Sequence, residues 1–337
     1  MAHELHFTAD RSASMMYVGE APWHGLGTKL NKPATAAEAI KAANLDWNVC
    51  KHPIYLDGAS QPIRDKFAIV RADKLKDADC PVFGVVGKSY TPLQNSKAFE
   101  FFDPIVGEKN APIYHTAGAL GDGERVWILA KLPETIRVIG DDIADKYLLL
   151  SNSHDGQSSV QIKFTPIRVV CQNTLTMALS KGRTVRVPHT RDLHDRLKQA
   201  EMMLGTINKR FGEIEETFKA MTMVEIDNSR LYSYLNNVFP EPHDKKNERL
   251  VTRVHERRAL AEHFFAEGAG NTAEGVKGTL WAAYNGVTEL VDHRLPEIPR
   301  KKNPQSARLN NVWFGDGYLT KARAFAIATD KLKAWLN

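Results

Sequence analysis

The feature that most limits what this chain can fold into is the block from residue 113 to 187, where β-biased runs follow one another with short turns between them. RVWILAKLP, ETIRVIG, DKYLLLSNS and SSVQIKFTPIRVV are rich in branched and aromatic residues and are bounded by turn formers. Asp155-Gly156 separates the last two runs, and an Asp-Gly pair favours a tight hairpin because such turns need positive φ. After Val170 the period becomes helical, so TPIRVVCQNTLTMALS (165–180) reads as a strand running into a helix. Asn173 or Thr174 can cap that helix by accepting from its first N–H groups. The order β-β-β-β-α predicts an antiparallel meander feeding a helix.

A second periodic signal follows. From Thr190 to Met221 the residues Leu193, Leu197, Ala200, Leu204, Ile207, Phe211, Ile214, Phe218 and Met221 recur in alternating steps of four and three. Such a stripe marks a long helix, which either packs on the sheet as core or pairs with a second copy of the chain. Gly205 and Gly212 each weaken it by about 1 kcal/mol relative to Ala.

Ahead of the block, the first 30 residues read as an extended arm. TAAEAIKAANL predicts a short helix capped by Thr35 with Glu38 three residues on. NVCKHPIYL and KFAIVRAD read as strands joined by the turn DGASQP, and PVFGVVGKSYTPL as a third whose glycines imply a bulge or a close backbone approach. SKAFEFFDPIV reads as a short helix closed by Pro104. From 226 to 337, SRLYSYLNNVF, NERLVTRVHERRALAEHFFAEG, TLWAAYNGVTELVDHR and TKARAFAIATDKLKAWLN are helical, with the basic, Pro-rich RLPEIPRKKNPQSAR between the last two. The expectation is an α+β fold: an antiparallel meander packed against a long helix, with a mainly helical C-terminal region. Residues 1–225 form the α+β core with its arm, and residues 226–337 the helical part.

Function is less direct. The 337 residues carry a net charge of only +5, too little for a dedicated basic coat on DNA. Locally the balance differs. Between Lys163 and Arg210 there are ten cations against Asp192, Asp195 and Glu201. That bias is either a solvated charged face or a groove that follows a phosphate backbone. The candidate nucleic-acid contacts are Lys163, Arg168, Lys181, Arg183, Arg186 and Arg191. In strand alternation Arg168 shares a face with Pro166 and Val170, while Ile167, Val169 and Cys171 share the other. A second cluster, Arg294, Arg300, Lys301, Lys302 and Arg308, falls in the basic loop.

Other chemistries have little support. Cys50, Cys80 and Cys171 are far apart with no CxxC pair, which encodes neither a zinc ribbon nor a disulfide framework. Cys171, at the joint of strand and helix, is either a buried spacer or a nucleophile activated by Arg168 and the helix start. Trp23 in PWHGLGT either stacks on a base or plugs an apolar slot. The twelve histidines form no HExxH or HxxxH pattern, and no GxSxG, Walker or dinucleotide fingerprint is present. This lowers the expectation of an enzyme, and no metal or cofactor is expected. MAHELHFTADRS has no signal-peptide pattern, and no apolar run approaches the roughly 18 residues of a span. The expected compartment is the cytoplasm, with no membrane partner.

Several segments, in order, carry a resemblance: APWHGLGTKL (21–30), YTPLQNSKAFEFFDPIV (90–106), RVWILAKLP, TPIRVVCQNTLTMALS and GTLWAAYNGVTELVDHR (278–294). On these the chain resembles the phage/plasmid-like protein family classed as a domain of unknown function. The resemblance implies a mobile-element context near replication, recombination or anti-defence functions. The meander-plus-helix order, with cations on the sheet, is also distantly similar to the core of single-strand annealing recombinases, by topology alone. Three readings follow. The first is a phage or plasmid DNA-metabolism protein that binds single-stranded DNA and promotes annealing in recombination as a homo-oligomer. The second is a non-enzymatic host-interaction or anti-defence protein with a host protein partner. The third is an enzyme built on Cys171 or the histidines.

Overall fold

The computed structural model describes residues 5–19, 26–32, 34–101, 113–168, 173–174, 185–204, 207–294, 311–313 and 315–336. Its centre is the hairpin of β7 (Arg125–Ile139) and β8 (Asp142–Ser153), the two longest strands among the described residues. On one side β6 (Ile113–Leu120) pairs with β7, then come β1 (Met15–Val18) and β2 (Thr28–Leu30). On the other, β9 (Val160–Phe164) and β10 (Ile167–Arg168) lie in line along β8. They are edged by β12 (Val185–Val187) and β11 (Asn173–Thr174) respectively. All of these pairings are antiparallel except β1 with β2.

The expected α+β class and helical C-terminal region are observed, but several elements differ from the sequence reading. RVWILAKLP and ETIRVIG are a single strand, β7, whose register shifts between Lys131 and Thr135 with Glu134 at φ 67°. Pro133-Glu134 reads locally as a break, but continuous pairing with β8 carries the strand through it as a bulge. The N-terminal stretch is not a free arm. Met15, Met16 and Tyr17 pair with Gly118, Ala117 and Thr116, and the Thr116 hydroxyl donates to the Met16 carbonyl at 2.8 Å. Asn173 and Thr174 pair with Arg168 and Ile167, and the helix they were expected to cap lies outside the described residues. The strand-to-helix joint at Cys171, the helix expected from 175 and the Pro104 stop lie outside the described residues.

A separate three-stranded sheet is formed by β3 (Val49–Tyr55), β4 (Pro62–Arg71) and β5 (Val82–Gly87). The predicted close approach is real. A Cβ on Gly84 would sit 2.2 Å from the Asp155 carbonyl oxygen, so the β8–β9 turn rests directly on β5. Helix α1 (Ala36–Ala42) has the predicted capping box, with Glu38 N–H donating to Thr35 Oγ1 and Thr35 N–H to Glu38 Oε2. Helix α2 (Asn95–Glu100) supplies buried Asn95, whose Nδ2 donates to the Leu45 carbonyl and whose Oδ1 lies 3.0 Å from His154 Nε2. The His154 ring sits among Trp47 and Phe83, at 5.6 and 6.1 Å between centroids. It ties the two sheets together.

The C-terminal half covers one face of the main sheet. Helices α3 (Leu193–Leu204) and α4 (Ile207–Thr222) carry the four-three stripe, and its described side chains, Leu193, Leu197, Ala200, Phe211, Ile214, Phe218 and Met221, are all buried in the main core. The stripe is therefore a core seam of this chain, not a free self-association face. Helices α5 (Asn228–Val238), α6 (Glu248–Glu267), α7 (Leu280–Glu289) and α8 (Asp316–Trp335) complete the layer. Leu280 through Thr288 are all buried, as expected of a helix surrounded by protein. Phe218 lies 4.5 Å from Trp281, and Trp281 Nε1 donates to Asp142 Oδ2 at 2.8 Å, fixing α7 to the turn of the central hairpin. The opposite sheet face has its own cluster, in which Trp127, Leu129 and Leu149 are covered by Val312 and Trp313.

Candidate nucleic-acid-binding surface

The site is built on β9 and β12. Val185 pairs with Ile162, Arg186 with Gln161 and Val187 with Val160. Ile162, Val160 and Val187 are buried in the main core under the helices. Strand alternation therefore sends Arg186 to the opposite face, where it is exposed. On that face Gln161 stands opposite Ser151, and Ser151 opposite Trp127. Lys163, two residues along β9, shares the face, and so does Arg125, two residues before Trp127 on β7.

Lys163 is only 8% exposed. Its Nζ donates to the Trp313 carbonyl at 2.9 Å and lies 4.0 Å from the centre of the Tyr318 ring. Burial, and then the charges of Arg186, Arg125 and Lys321, push its ammonium down to a pKa of about 8. Lys321 is itself fully buried and donates to Asp292 Oδ1 at 2.6 Å. Asp292 sits in the wider helical turn, Leu290–Arg294, that continues α7. Arg125, Lys163 and Arg186 thus share one end of the sheet's second face, with the buried Lys321–Asp292 ion pair behind them.

Arg191 belongs to a second neighbourhood. It is exposed just before α3 and faces Lys51 of β3, whose ammonium is lowered by burial and then by Arg191. Lys51 Nζ donates to the Lys88 carbonyl at 2.8 Å, which brings the end of β5 into the same patch.

Of the six cations named from sequence, four fall among the described residues. Arg186 and Arg191 are exposed, in two neighbourhoods. Lys163 lies beside Arg186 but points its ammonium into the protein. Arg168 is placed in β10, paired with Ala144. Lys181 and Arg183 lie outside the described residues, as do Trp23 and most of the second basic cluster. Arg125, Lys321, Lys51 and Lys88 were missed. For Arg125 a signal existed, since alternation in RVWILAKLP sets it on the face of Trp127. The others are joined only by tertiary folding.

His154 and His189 serve packing. His154 is fully buried and burial holds its imidazole down at about 3, so it is neutral at ordinary pH. His189, lowered by burial, stacks on Tyr90 at 4.8 Å with Nδ1 3.0 Å from the Thr91 carbonyl. Burial, with Cys80 nearby, pushes the Cys50 thiol up, the opposite of an activated nucleophile. Cys171 is outside the described residues. Among the described residues no three His, Cys, Asp or Glu side chains are grouped to hold a metal ion, and no helix is long and apolar enough to cross a membrane.

No curated protein and no solved structure matches the chain. Residues 82–313 match a protein family, a span that runs from β5 to Trp313 and takes in the whole β7–β8–β9 platform and helices α3 to α7. The chain belongs to the family described as domain of unknown function DUF932.

Proposed function

We propose that this chain is a DNA-metabolism protein of phages or plasmids that binds single-stranded DNA through cations on the second face of its sheet and at the start of α3. The observation that carries the reading is the placement of exposed Arg186 on the same sheet face as Lys163 and Arg125, close enough that its charge, after burial, helps lower the Lys163 ammonium. Cations held together raise one another's free energy, and a polyanion laid against them relieves that repulsion. Arg186 and Arg191, both exposed, make the phosphate contacts, and Lys163 contributes field from beneath. Arginine suits the role because its planar fork meets two phosphate oxygens at once.

The test is fluorescence anisotropy of a labelled single-stranded oligonucleotide across a salt series. Binding strengthens steeply as salt falls, and the double variant R186E/R191E binds roughly ten-fold or more weakly, with a shallower salt slope. Circular dichroism checks that its fold is kept, as expected for two exposed positions. An unaltered protein that leaves the oligonucleotide free at low salt defeats the reading, and so does a double variant that binds as tightly.

A further inference from the structure

Past Lys51, whose ammonium feels the charge of Arg191, the β3–β4 hairpin leaves the body of the protein. Residues 55–66 are all exposed, and they include Tyr55 at 52%, Leu56 at 67% and Ile63 at 37%. The tip is an ordered turn, with Ala59 N–H donating to the Leu56 carbonyl at 3.0 Å and Gly58 at φ 72°. Its strands change register abruptly: Pro53 faces Phe67 but Tyr55 faces Pro62, so Ile63, Arg64, Asp65 and Lys66 stand opposite Ile54 alone. Asp65 takes φ 56° within this bulge. Bulges of this kind bend a strand and re-aim its side chains, and they recur as built features beside functional sites.

Three large apolar side chains exposed within one hairpin call for an occupant. The charge around them indicates which kind. Arg64 and Lys66 lie in the hairpin itself, and Lys51, Lys88 and Arg191 lie towards its base, against Asp57 and Asp65 in the hairpin. Asp65 lies 3.7 Å from Arg64 and 3.9 Å from Lys88, so it offsets only part of the excess. An aromatic and two aliphatic groups above a cationic base complement a single strand, in which cations follow the backbone and rings meet the bases.

We infer that the hairpin from Tyr55 to Lys66 is a base-contacting finger. Tyr55 stacks on a base, and Leu56 and Ile63 pack beside it. The phosphates of the same strand lie against Lys51, Lys88 and Arg191. This rests on the single-stranded DNA reading and adds a specific element to it: affinity from bases as well as from charge.

The experiment compares two oligonucleotides of equal length and charge, oligo-dT and an abasic strand with the same phosphates, binding to the full chain by anisotropy. The finger predicts that the unaltered protein prefers oligo-dT by roughly ten-fold or more, since each stacked base adds substantially to affinity. Tyr55→Ala removes most of that preference while the salt slope stays as it was, and Tyr55→Phe keeps it. Because Tyr55 is exposed, neither change threatens the fold. Equal binding of both strands by the unaltered protein overturns the finger and leaves the DNA reading standing. So does a Tyr55→Ala protein whose preference is undiminished. Binding of neither strand overturns the DNA reading, and the finger falls with it.

Discussion

His154 accepts burial only while it is neutral. Its folded-state imidazole titrates near 3, against 6.5 for an ordinary histidine. An unfolded chain therefore takes up a proton near pH 6.5 that the folded chain refuses until far lower, so stability falls as pH drops through that window. His6, His115 and His189 are lowered by burial too and act in the same direction. Glu124, raised by burial, opposes them in part, because its folded form gains from protonation as the solution becomes acid. Urea midpoints measured from pH 7.5 down to 4.5 are expected to fall steadily; a flat profile would remove the neutral-core account of these histidines. None of this was legible locally. His154-Asp155 precedes a glycine and looks like an exposed turn, and only the folding of Trp47, Phe83 and Asn95 around it makes it a core residue.

Helix α7 and the turn that prolongs it carry tightly constrained contacts. A Cβ on Gly286 would lie 2.8 Å from the Ala261 carbonyl oxygen, which measures how closely α6 and α7 approach. Asp292, beyond the end of α7, is bound to Lys321 of α8 with both side chains buried. Removing one member of such a pair strands the other charge in the interior. Lys321→Met is expected to cost about 3–5 kcal/mol, whereas K321M/D292L, which removes both charges, costs much less. Denaturation midpoints of the three proteins give the answer, and equal losses in the single and double variants would refute it. At this scale the sequence was informative wherever the signal was periodic or local. The four-three stripe, the Thr35 box, the Gly84 approach and the C-terminal helices all appear where their patterns put them. It misled where pairing overrides local preference. Glu134 bulges within a continuous strand instead of ending one.

For the whole molecule, one apolar core runs from Trp47 through the main sheet to Leu332 of α8, crossing the boundary that the change from strands to helices suggests at residue 225. Trp127 belongs to the second face of the sheet and Trp281 to the helical layer. Tryptophan fluorescence and far-ultraviolet circular dichroism should therefore report a single shared urea transition, and two separated transitions would show that the layers unfold independently. The candidate surface was only partly readable from sequence for the same reason. A run of cations announces Arg186 and Arg191, but Lys51 and Lys321 reach them from distant parts of the chain. The pairing of β1 with β6 has a further consequence, for the order of events in time. Met16 is made early and finds its partner Ala117 about a hundred residues later. Until then the apolar Met15-Met16-Tyr17 segment has no lasting place to go, and a contact of such long range closes slowly. The opening residues of the sheet are thus among its last to settle, and the nascent chain depends most on protection from aggregation during that interval.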